Sequence, residues 1–144
     1  MVWRACRNSL PTKTSLVSRT IIDSPICDRC RNDQESVIHA LWSCREVDVV
    51  WLDVELWNFR SGMHFMDFES LVARILQENK SPKLFIVTMW SFWNQRNQAR
   101  LQQCSWSLHL LAQVSKDDVP IYSICPAFFV VYSILKCPKI LSCF

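Results

Sequence analysis

Apolar residues recur at intervals of three and four along most of the first hundred positions, the spacing of one face of a helix. Trp3, Cys6, Arg7 and Leu10 predict a short first helix stopped by Pro11. A second is predicted over 11–22, with Pro11 in its first turn and Leu16, Val17, Thr20 and Ile21 on the buried side. Asp23, Ser24 and Pro25 then make a turn. Val37, Ile38, Leu41 and Trp42 predict a short helix over 35–42, and a further helix beginning at Ser43 carries Val47, Val50, Trp51, Val54 and Trp57 as an amphipathic stripe. The periodicity is enough to read these tryptophans as core rather than as base-stacking platforms.

Residues 58–66 hold the only glycine, Gly62, and read as a loop in which His64 stands apart from any cysteine. Asp67 is placed to cap a helix over 68–79 that presents Phe68, Leu71, Val72, Ile75 and Leu76. Ser81 and Pro82 restart a helix running to about 101, with Phe85, Met89, Phe92 and Trp93 packed and a polar end from Asn94 to Arg100. The expectation is an all-α chain: a small helical domain, amphipathic helices after it, and an irregular or hydrophobic C-terminal tail. From Cys104 onward charges nearly vanish. Residues 119–135 form an uncharged run containing Pro120 and Pro126, just short of the roughly 20 residues needed to cross a bilayer. A membrane anchor is the lesser reading of that run, and translation through non-domain sequence at a truncated gene end is the favoured one.

Composition sharpens this picture. The chain is 50% apolar, 12% aromatic and 20% charged, which describes a globular protein rather than a disordered one. One glycine in 144 residues argues against phosphate-cradling loops, which need several. The net charge of +3 is unevenly placed: residues 1–31 hold Arg4, Arg7, Lys13, Arg19, Arg29 and Arg31 against Asp23 and Asp28. Such an end attracts phosphate backbones through counterion release, although a merely solvated basic face would look the same.

The chemistry concentrates in one stretch. Cys27, Cys30, His39 and Cys44 are spaced C-x2-C-x8-H-x4-C, three thiols and one imidazole within eighteen residues. Zinc prefers four such ligands in a tetrahedron, and Cys3His is one of its closed structural types. On an uninterrupted helix His39 and Cys44 would point about 140° apart, so a turn is expected near Ser43. Ser43-Cys44-Arg45-Glu46 fits a capping box that would start a new helix there, with Cys44 in its first turn. A disulfide framework is disfavoured because the N-terminus does not read as a signal peptide. A redox C-x-x-C is disfavoured because no strand is expected before Cys27.

Several segments together resemble the reverse-transcriptase zinc-binding domain family: Trp3-Arg4-Ala5; Leu10-Pro11-Thr12-Lys13 with Leu16; Ile26-Cys27-Asp28-Arg29-Cys30; and Glu35 through Cys44 with Trp51. The resemblance spans about residues 2–57. That family lies downstream of the polymerase in plant non-LTR retrotransposon polyproteins and in retroelement-derived host genes. Residues 89–97 resemble the tryptophan-rich helix that often leads into a ribonuclease-H-like domain. The resemblance implies a zinc-binding domain over 1–57; the residues beyond it read as a helical extension over 58–103 and a divergent apolar tail over 104–144, and the expected location is intracellular, nucleus or cytoplasm.

No catalytic role is expected. Asp117-Asp118 lacks the context of paired polymerase aspartates, no cluster of carboxylates suits a two-metal nuclease, and a closed four-ligand site leaves neither an open coordination position nor a free thiolate. Two readings of function stand. One is a zinc module that binds RNA or DNA through Arg4, Arg7, Lys13, Arg19, Arg29 and Arg31. The other is a structural or protein-interaction remnant whose only ligand is zinc.

Overall fold

A computed structural model describes residues 1–51, 57–78, 81–101 and 108. All belong to one unit, Met1–Ala112. The described residues are helical and contain no strand, only an isolated antiparallel bridge between Ile26 and Gln34. In chain order they form α1 (Val2–Cys6), α2 (Lys13–Val17), a π-helical turn (His39–Ser43), a 3-10 turn (Arg45–Val50), a second 3-10 turn (Asn58–Ser61), α3 (Phe68–Gln77) and α4 (Pro82–Arg100). Val54 and the tail run 119–135 lie outside the described residues. No helix among those described is long and apolar enough to cross a membrane.

The first two helices are shorter than their apolar spacing predicts. Asn8 takes a left-handed conformation (φ 48°), and the amide of Ser9 donates back to Arg4 O at 2.8 Å, which ends α1 well before Pro11. Asparagine tolerates that conformation better than most residues. α2 begins at Lys13 rather than at Pro11, because Thr12 is the cap and accepts from the Ser15 amide. It stops at Val17. Thr20 adopts φ 55°, and the Ile21 amide returns to Leu16 O, so Thr20 and Ile21 face solvent instead of the core.

The later helices follow their patterns more closely. Asp67 caps α3 by accepting from the Ser70 amide at 2.7 Å. Phe68, Leu71 and Ile75 are buried, whereas Leu76 is 55% exposed. Ser81 precedes α4 in a left-handed conformation and makes no side-chain cap, leaving Pro82 to start the helix. α1, α3 and the π-helical turn all pack on α4. It therefore buries more than one stripe: Phe85, Met89 and Phe92, and also Thr88, Ser91, Trp93 and Arg96.

Much of the core among the described residues is aromatic. Trp42 lies 4.8 Å from Trp51, 5.8 Å from Phe59 and 6.1 Å from Phe85, ring centre to ring centre. Trp57 and Phe92 extend the cluster through Trp51 at 4.9 and 5.6 Å. Offset and edge-on packing of this kind adds about 0.5–1.5 kcal/mol per pair beyond the area removed from water. Trp42, Trp51, Trp57 and Trp93 are all buried, as their periodicity predicts, while Trp3 is 62% exposed.

The two leucines of α3 separate burial from helix propensity. Leu71→Ala is expected to lower stability by about 2–5 kcal/mol through the cavity it leaves. Leu76→Ala, on the open side, should change it by less than about 0.5 kcal/mol. Chemical denaturation of the two variants side by side checks this.

Candidate metal centre

The site is assembled from two local devices. Residues 26–34 form a loop closed at its base by the Ile26–Gln34 bridge, with the Cys27 amide donating to Asp33 O at 2.8 Å and the Glu35 amide to Pro25 O at 2.8 Å. Within it the Arg31 amide returns to Cys27 O at 2.9 Å, and Arg31 itself is left-handed (φ 54°). That tight return turns Cys27 and Cys30 toward one point.

The second device is the π-helical turn. The expected helix over 35–42 begins only at Val37 and widens at His39. The Cys44 amide then donates to His39 O at 3.0 Å, a bond five residues long. A widened turn of this type places residue i+5 near residue i, which an ordinary α-helix does not. Cys44 follows in an extended conformation (φ −65°, ψ 129°) and precedes the 3-10 turn Arg45–Val50. The change of direction expected near Ser43 thus falls at Cys44. The capping box does not form: Ser43 closes the π-turn, Cys44 occupies the cap position of a 3-10 turn, and no side chain caps it.

These devices bring Cys27, Cys30, His39 and Cys44 together, all four buried and with their ligand atoms within 4.8 Å of one another. Cys30 Sγ lies 3.4 Å from His39 Nε2. Tetrahedral zinc, with Zn–S of about 2.3 Å and Zn–N of about 2.0–2.1 Å, has S···N edges of about 3.5 Å and S···S edges of about 3.8 Å. Donor number and type fit the ion, the Cys30–His39 separation matches a tetrahedral edge, and the whole set lies within about an ångström of the required spacing. The described cysteines make no disulfide.

Charge is shared unequally among the four side chains. A hydrogen bond with Cys44 holds the Cys27 thiol down to about 3, helped by His39 and nearby backbone amides against the cost of burial. The same hydrogen bond, with burial, pushes the Cys44 thiol up. Burial raises Cys30, but the Asp33 and Asn32 amides and His39 outweigh it and lower the thiol overall. Burial likewise acts to lower His39, and its hydrogen bonds and proximity to Cys27 and Cys30 reverse the sign. Two thiols held toward the thiolate, Cys27 and Cys30, suit a divalent cation.

Residues 1–51 match the family described as zinc-binding in reverse transcriptase. No curated protein and no solved structure matches the chain. The matched region contains all four donors and stops at Trp51, before α3 and α4. The zinc-binding description of that family and the four converging donors point to the same stretch of the chain as a site for a metal ion, zinc before others.

The six basic residues singled out from the sequence are dispersed in role. Arg4, Arg7, Arg19 and Arg31 are exposed. Arg7 lies over the Trp3 ring at 5.5 Å. Lys13 pairs with Asp28 and is mostly covered. Arg29 turns inward, donating to Ala40 O (2.9 Å), Phe92 O (2.8 Å) and Gln95 Oε1 (2.6 Å).

Three polar residues around the site carry roles that the sequence pattern did not reveal. Arg45 donates to Cys30 O at 3.2 Å. Glu35, 1% exposed, accepts from the Lys13 amide at 3.0 Å and forms an ion pair with Arg96, itself 5% exposed. Arg96 also lies over Trp93 at 4.8 Å. A signal existed: residues 85, 89, 92 and 96 continue one helical stripe, and an arginine in a core register requires a buried carboxylate.

Ligand protons set the pH response. Every thiol must be deprotonated and the imidazole neutral to bind metal, and the raised Cys44 and His39 hold their protons longest. Zinc affinity is expected to rise steadily from about pH 6 to 8, with proton release on binding. Competition against a chromophoric chelator across that range measures it, and a flat profile would contradict the ligand set.

Proposed function

We propose that the chain is a non-catalytic, zinc-binding module derived from a retroelement polyprotein of the plant non-LTR type, and that it meets RNA or DNA through its basic N-terminal part. The observation that carries the reading is the closed set of four buried donors within the matched region. A structural zinc makes folding free energy out of binding free energy, because the ligands are not gathered in the unfolded chain. The ion then fixes the surface on which the arginines stand. Arg4, Arg7, Arg19 and Arg31 are exposed and offer guanidinium groups to phosphate. With every position of a Cys3His site taken by protein, no coordination position is left for a substrate, which supports a non-catalytic role.

A second reading has its own support. Arg29 is held by three internal acceptors and Lys13 by Asp28, which takes two of the six cations away from a phosphate backbone. A structural or protein-interaction domain with zinc as its only ligand would have the same internal arrangement.

Metal content and nucleic-acid titration separate the two. The module reading expects one zinc per chain and binding of a fluorescent single-stranded RNA that weakens as salt rises. Replacing Arg4, Arg7, Arg19 and Arg31 by Gln together should flatten that salt dependence, by a slope of about 0.7 for each phosphate of the single strand that is no longer neutralised. Zinc-loaded protein with no RNA or DNA affinity at low salt would leave the structural reading. Cys30→Ser and Cys44→Ser should each unfold the metal region. A Cys44→Ser chain that still melts cooperatively in chelator would contradict the structural role of zinc.

A further inference from the structure

We infer that metal binding and the docking of α4 are a single coupled equilibrium, so that the zinc site governs where the chain beyond the matched region is held. The inference rests on the cluster binding a metal ion and goes beyond the matched residues, which end some thirty positions before α4 begins.

α4 meets the metal region through two polar latches, and each is rooted beside a ligand. Arg29 lies between Cys27 and Cys30 and is adjacent to the latter. One of its nitrogens donates to Ala40 O, next to His39, and another to Phe92 O and Gln95 Oε1 on α4. This one guanidinium joins both halves of the ligand set to α4. Glu35 follows the loop base and precedes His39 by four residues. Its carboxylate is buried against Arg96 of α4 and also accepts from the first amide of α2.

The apolar contacts of α4 depend on the same segments. Phe85 packs against Trp42 at 6.1 Å and Trp51 at 6.0 Å, and Phe92 against Trp51 at 5.6 Å. Trp42 belongs to the π-turn that carries His39, and Trp51 follows the 3-10 turn that begins after Cys44. A metal ion that draws Cys27, Cys30, His39 and Cys44 together therefore orders the acceptors, the cations and the aromatic rings on which α4 rests. Without that order Arg96 and Glu35 would each be a charge facing an unformed partner, and burial of an unpaired charge is strongly unfavourable. Coupling is reciprocal: whatever factor the ion contributes to α4 docking, α4 contributes to affinity for the ion.

The test uses the full chain. Zinc content is measured first. Hydrogen–deuterium exchange of peptides from residues 82–100 is then compared with and without excess chelator, and zinc affinity is measured by chelator competition in wild type, Arg96→Met and Arg29→Met. The expected result is that α4 loses its protection when zinc is withdrawn, and that each variant binds zinc about tenfold more weakly or worse, within the usual range of coupling between sites. Protection of α4 that survives chelation of a zinc-loaded chain would overturn the coupling while leaving the metal site intact, and this comparison needs no variant to fold. Zinc affinity within about twofold of wild type in both variants would overturn it equally. A purified chain that takes up no zinc would overturn this inference and the zinc-module reading together.

Discussion

Four donor atoms must converge on one point although the last two, His39 and Cys44, are five residues apart, and much of the structure follows from that spacing. An α-helix would separate them by about 140°. The chain meets the constraint by widening the helix into a π-turn and then leaving it through an extended Cys44. π-turns are rare and concentrate at functional sites. The same turn carries Trp42 into the middle of the aromatic core. Ligand geometry and core packing are thus set by one five-residue segment.

Around that turn, polar groups are arranged in an order that burial dictates. Glu35 and Arg96 are nearly inaccessible, and a pair of this kind contributes modestly against well-packed apolar residues but is costly to break, about 3–5 kcal/mol when one partner is removed. Such a pair acts chiefly to specify one arrangement. Here it ties α4, which buries residues on several sides, to the segment that precedes His39. Arg29 adds a second constraint at a different level of the same helix.

Basic charge was the least informative sequence feature. Six cations in the first thirty-one residues look alike in a charge count, yet Arg29 is an internal clip, Lys13 is paired, and Arg7 rests on an exposed tryptophan. The difference arises because an arginine's five donors serve backbone carbonyls as well as they serve phosphate.

The candidate donor set was legible in the sequence, since thiols and an imidazole at that spacing suit few other uses, and the structure brings the same four side chains together. The sequence by itself also determined the helical class, the Asp67 cap and the burial of Phe68, Leu71, Ile75 and four tryptophans, because all of these rest on local spacing. The ends of α1 and α2 emerged only on folding, because left-handed Asn8 and Thr20 are backbone choices that apolar periodicity does not record. Folding likewise replaced the capping box at Ser43 by a π-turn, since the need to bring Cys44 to His39 outweighs a local cap. The pairing of Glu35 with Arg96, sixty-one residues away, lay furthest from reach, for a buried ion pair joins two positions that no local pattern connects.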